Sequence, residues 1–143
     1  MSYCTLADIE KKRIPTDTLI QLTDDENLAV INEDIVNSCI LDANILVEGY
    51  LRGRYPLPLD PIPELISIIV ADLAVYGLYA IKPQFEVPKT IIERRTTALA
   101  LLTRIQDGKT KLYDDAVAPV INAASVSFSS SERVCSRDLL SGF

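Results

Sequence analysis

Cysteines and carboxylates are the side chains of this sequence best suited to attack a carbon, move a proton or hold a cation, yet none falls into a working pattern. Cys4, Cys39 and Cys135 are odd in number and far apart, and no Cys-x-x-Cys pair is present, so neither a zinc site nor a disulfide framework is indicated. Asp24-Asp25-Glu26 lacks the alternating ligands and loop glycine of a calcium-binding hand, and turn and cap chemistry accounts for it better. Asp60, Glu64 and Asp72 have the functional groups for paired acid and base work, but their spacing brings no two of them to one pocket. Gly108-Lys109-Thr110 ends like a phosphate-binding loop, but the first glycine of that motif falls at Thr103, inside a helical stretch. The chain has no histidine, which removes imidazole-assisted serine or cysteine catalysis, HExxH metal sites and a histidine pH switch. No Gly-x-Ser-x-Gly elbow or Gly-x-Gly-x-x-Gly turn occurs. The expectation is therefore a protein that is not an enzyme, with no catalytic residue, no metal and no cofactor.

The elements that carry these residues fit one domain, since 143 residues with 48% hydrophobic content can bury a core without disulfides or metals. The opening MSYCTLADIE lacks the basic-then-apolar start of a secretory signal, and the unpaired cysteines suit a reducing compartment, so a reducing cytoplasm is the expected place of synthesis. Thr5 and Asp8 form an approximate capping box that predicts a helix to about Arg13, and Pro15 starts another turn. Asn32 then caps a long helix whose apolar residues, Ile35, Val36, Cys39, Ile40, Ala43, Leu46, Val47, Tyr50 and Leu51, recur at three-and-four spacing until about Gly53. Four prolines at 56, 58, 61 and 63 make a stiff connector, with Asp60 placed to cap a helix that starts at Pro61 or Pro63.

Residues 65–81 are apolar nearly all round, which predicts a core helix or one covered by a neighbouring subunit rather than a membrane span, because Ser67 and Asp72 lie within it. Asp72 is expected at a rim or against a basic partner. A further helix runs from Pro88 to about Gly108. Beyond it, residues 109–113 and 124–128 are read as short strands and 128–143 as an arm. The predicted fold is mainly α: a bundle of four to five helices over residues 1–112, then a β or extended arm over 113–143.

The charge is unevenly spread. The net of −6 hides an acidic segment 1–34 with 3 basic and 8 acidic residues, and a basic segment 82–111 with 7 basic and 3 acidic residues. These either pair inside one subunit or attract across neighbouring copies. A sequence pI near 4.6 disfavours tight binding to duplex DNA.

The run 43–58, ANILVEGYLRGRYPLP, with Pro63 to Leu65 and 71–79, ADLAVYGLY, resembles the Mu-like phage and prophage family of small head-tail connector, or adaptor, proteins. The opening 3–9 and the ending 135–143 are similar to that family as well, so the resemblance spans essentially the whole chain. It implies a helical virion subunit that joins a homo-oligomeric ring of roughly a dozen copies below the portal. The ring extends the DNA channel, presents a surface to tail-completion proteins, and touches DNA only as it passes. The subunit is either assembled alone or monomeric until docked, and no membrane is involved. Candidate subunit or portal contacts are Asp24, Asp25 and Glu26; Tyr50, Arg52, Arg54 and Tyr55; Arg94 and Arg95; and Phe128, Leu139, Leu140 and Phe143 of the arm. For residues 50–55 the competing reading is local, with tyrosines packing the helix end and arginines answering its dipole. The alternative function is a helical binding or regulatory module, a two-fold dimer that buries the 65–81 helix.

Overall fold

Both the backbone N–H and the hydroxyl of Thr5 donate to the carboxylate of Asp8, at 3.0 and 2.7 Å, which opens the first helix as the spacing predicts. The computed structural model describes residues 2–114. Its elements are α1 (Leu6–Lys12), α2 (Thr16–Thr23), α3 (Glu33–Leu51), α4 (Glu64–Ile81) and α5 (Lys89–Gln106). Asn32 caps α3, accepting from the N–H groups of Asp34 and Ile35, while Glu33 and Asp34 place negative charge at the positive end of the helix dipole. The turn expected after Pro15 is longer than one turn: Thr16 to Thr23 forms a helix that buries Leu19 and Leu22.

Helix α4 packs against all four other helices, with α3 and α5 covering most of it. Ile66, Ile69, Val70, Ala74, Val75 and Leu78 are fully buried there, and each large aliphatic side chain contributes roughly 1.5–3 kcal/mol on burial. The length and apolarity of Glu64–Ile81 match a membrane span, but much of the helix is buried against neighbouring helices of the same chain. Arg13, at the C-terminal cap of α1, lies 3.2 Å from the carboxylate of Asp72 and ties α1 to the centre of α4. Asp72 thus meets a basic partner, as expected. Burial pushes its carboxyl above the ordinary value, and the nearby Arg13 and Arg94 charges pull it back only in part.

Three expectations change. Residues 109–113 form bends rather than a strand, and no strand occurs among the described residues. Gly108, at φ +77, reverses the chain, and the N–H groups of Lys109 and Thr110 bond back to the carbonyl of Arg104, so this segment closes the end of α5 instead of pairing with a neighbour. Pro63, not Asp60, occupies the N-cap position of α4. Leu46, expected in the buried stripe of α3, is exposed, because it sits at the edge of the arc centred on Val36, Ile40, Ala43 and Val47. The predicted 124–128 strand and the 128–143 arm lie outside the described residues.

Candidate functional site

The surface features of the chain gather at the two ends of α3. At its N-terminal end, residues 24–32 form a loop organised by one carboxylate. Asp24 accepts from the N–H groups of Leu28 at 3.0 Å and Ala29 at 2.8 Å, and these backbone bonds hold its carboxyl below the usual carboxylate range. Asn27 and Ala29 take φ values of 57° and 56°, a left-handed conformation costing an ordinary residue such as alanine about 1–2 kcal/mol. Thr23 closes the loop base: its buried hydroxyl donates to Leu19 O at 2.8 Å and accepts from Asn32 N–H at 3.2 Å. Held this way, the loop leaves Leu28 62% and Val30 56% exposed beside a hollow of about 270 Å³ that Asp25, Glu26, Glu33 and Asp34 also line.

At the C-terminal end, the chain winds through the proline connector and is stitched to two distant segments. The Tyr3 hydroxyl donates to Glu48 at 2.8 Å and accepts from Leu59 N–H at 3.3 Å, and buried Asn44 accepts from Tyr3 N–H at 3.5 Å. Tyr55 accepts from Leu112 N–H at 3.2 Å and meets the Tyr113 ring edge-on, with centroids 6.0 Å apart. The Tyr113 hydroxyl donates to Pro61 O at 2.6 Å. Arg54 donates through Nε to Gln106 O, capping α5 and spreading its guanidinium over Gly108.

The candidate residues therefore separate into groups. Tyr50, Arg52, Arg54 and Tyr55 share the C-terminal end of α3; Arg54 and Tyr55 have contacts inside the fold, while Arg52 is exposed at the α3 cap. The local reading has the arginines answering the dipole of their own helix, whereas Arg54 donates to the end of α5. Asp24, Asp25 and Glu26 lie at the opposite end. Asp25 forms an ion pair with Lys82 at 2.8 Å, so one acidic and one basic residue of the two charged segments pair within the subunit. On α5, Arg95 stacks on the Tyr76 ring, 4.5 Å from its centroid, and Arg94 is exposed with its charge acting on Asp72. Phe128, Leu139, Leu140 and Phe143 lie outside the described residues.

Sequence reasoning missed the outer face of α3. At 100° per residue Ile45 sits about 180° from Val36, opposite the core, and Leu41 lies beside it. They are 61% and 58% exposed. Ile45, Leu46, Gly49, Tyr50 and Gln106 line an open groove of about 370 Å³ between α3 and the end of α5. The signal was present, since α3 carries more apolar residues than one face can bury, with a glycine at 49 inside the helix. Cys4 and Cys39 are buried, which pushes both thiols up to about 11 and makes them inert packing groups. Among the described residues, no three His, Cys, Asp or Glu side chains gather into a metal-binding group.

Exposed apolar residues stand beside charged ones at the N-terminal end of α3, and an open apolar groove lies towards its C-terminal end. The family model described as Bacteriophage Mu, Gp36 matches residues 3–130, which include the five helices of the described residues, and the chain belongs to this family. It is a Mu-like phage protein. No curated protein matches the chain.

Proposed function

We propose that this protein is a structural head-tail connector, or adaptor, of the phage virion, without catalysis. It forms a ring below the portal, extends the DNA channel and presents a surface to the tail-completion proteins. The observation that carries the reading is the match to the Mu Gp36 family across the whole helical bundle, taken with the resemblance of residues 43–58 and 71–79 to small connector proteins. The subunit's surface suits the role: apolar patches and charges of opposite sign stand at separate ends, the condition for a repeated heterologous contact. A net charge of −6 also suits a channel through which DNA slides without being held at many phosphates. Synthesis in the host cytoplasm and incorporation into the virion follow from this role. Less of α4 is open to the two-fold dimer alternative, since much of that helix already packs on helices of its own chain.

Light scattering of the full-length protein across concentration, alone and with the phage portal, tests the reading, with negative-stain imaging of any large species. A closed ring, formed alone or on the portal, is expected. A two-fold dimer that persists at every concentration and ignores the portal would overturn it. A phage lacking the gene is expected to accumulate filled heads without tails, and normal tailed particles would count equally against the role.

A further inference from the structure

The two N-terminal helices are joined to the rest of the bundle by a loop whose backbone works against its sequence. Helices α1 and α2 pack on α3 and α4 and bury Ile9, Ile14, Leu19 and Leu22. Ion pairs fix this seat: Arg13 lies 3.2 Å from Asp72 of α4, and Lys82, just past α4, reaches Asp25 at 2.8 Å and Gln21 O at 3.4 Å. Residues 3–25 thus form one piece that fits one surface. The link of residues 26–31 is different. It holds Asn27 and Ala29 left-handed, at φ 57° and 56°, and alanine lacks the polar side chain that eases this conformation in asparagine. It also leaves Leu28 62% and Val30 56% exposed. The bonds that close the loop are weak ones to lose. Asp24 accepts from Leu28 and Ala29 N–H at the surface, where water substitutes for it, and only the Asn32 N–H bond to Thr23 is partly buried. Straightening the link therefore releases two strained residues and gives up little. The surface on α3 and α4 still needs its apolar cover, and the same piece of another copy supplies it.

We infer that residues 3–25 are exchanged between copies: α1 and α2 of one copy seat on α3 and α4 of the next, with residues 26–31 straightened as the link. The partner is a second copy of this chain. Complementarity of shape and charge is assured, because the contacts are those that the subunit makes within itself. From Asp25 to Asn32 an extended chain reaches about 25 Å at most, which bounds the spacing of neighbouring copies. Passed head-to-tail, the exchange closes when the last copy supplies the first, which makes a ring. Leu28 and Val30 then lie at the boundary between two copies. This inference rests on the ring reading above and supplies the link between its subunits. Mass action keeps the dilute subunit closed and favours exchange where copies are gathered.

The ion pair of Lys82 with Asp25 supplies the test without altering the chain. Unlabelled and ¹⁵N-labelled full-length protein are mixed in equal parts in denaturant, refolded, and assembled at high concentration or on the phage portal. A carbodiimide then couples the Lys82 amine to the Asp25 carboxylate, and mass spectrometry of the digested large species reads whether the two joined peptides share an isotope. Exchange is expected to give mixed pairs as often as like pairs. The Asn27→Gly/Ala29→Gly variant, which takes the left-handed backbone without strain, is expected to lower the mixed fraction about fivefold. Like pairs alone in a large assembly overturn the exchange and leave the ring reading standing. Mixed pairs that the glycine variant does not reduce come from closed subunits touching at this corner, and overturn the exchange too. Mixed pairs confined to a two-fold dimer, and reduced by the glycine variant, support the exchange and overturn the ring reading. A chain that stays monomeric alone and on the portal, with like pairs only, overturns both.

Discussion

Arg54 and Gly108 make a pair whose energetics decide whether a prominent arginine of the connector segment is structural. Gly108 has φ +77, and a Cβ built there falls 2.5 Å from one guanidinium nitrogen of Arg54 and 2.6 Å from the other. Alanine at 108 bears the left-handed backbone cost, about 1 kcal/mol. It also pushes the flexible end of Arg54 away from Gln106 O. That charge-assisted bond is exposed to solvent, which reduces its value to about 1 kcal/mol. Gly108→Ala is therefore expected to cost about 2 kcal/mol and Arg54→Ala about 1 kcal/mol. In the double variant the bond is lost once and the backbone strain counted once, giving about 2 kcal/mol rather than the additive sum of about 3. Urea denaturation followed by helical circular dichroism resolves this difference, and each kcal/mol shifts the thermal midpoint by roughly 3–5 °C for a domain of this size. Additive costs, or a silent Arg54→Ala, would refute the assignment of Arg54 to the end of α5 and return it to the surface as a partner contact.

Tyr3→Phe removes a hydroxyl that serves both Glu48 and the buried Leu59 N–H, and the orphaned N–H sets the cost at about 1–3 kcal/mol in equilibrium unfolding. Asp24 has a lowered folded pKa, so its stabilisation is complete above the ordinary carboxylate value and is lost as pH falls through the folded value. Amide exchange of Leu28 and Ala29, corrected for the intrinsic rate, is expected to lose protection in that acid window, and Asp24→Asn to remove the dependence. In a Cys135→Ser background, Cys4 and Cys39 are expected to resist a thiol reagent at pH 8 and to react on denaturation; rapid labelling of the native protein would contradict their burial and their raised pKa of about 11.

The sequence alone determined what depends on residues within a turn or two of each other. Thr5 with Asp8, Asn32 before an acidic first turn, prolines at 63 and 88 and a glycine at 108 mark where helices start and stop, because caps act over three or four residues. The apolar run 65–81 foretold the central helix, and residues 43–58 and 71–79 foretold the family. The short strand at 109–113 was misread because its Lys-Thr-Lys-Leu-Tyr composition is as compatible with a chain folding back over a helix end, and only the carbonyl of Arg104 decides between the two. Tertiary structure decided the long-range pairings: Tyr3 with Glu48 and Leu59, Arg54 with Gln106, Lys82 with Asp25, and Arg13 with Asp72. It also decided which apolar side chains of α3 remain outside. Periodicity shows that a helix has more apolar residues than one face needs, but the neighbours that cover one face and leave Leu41 and Ile45 in water come from chain segments far away in sequence.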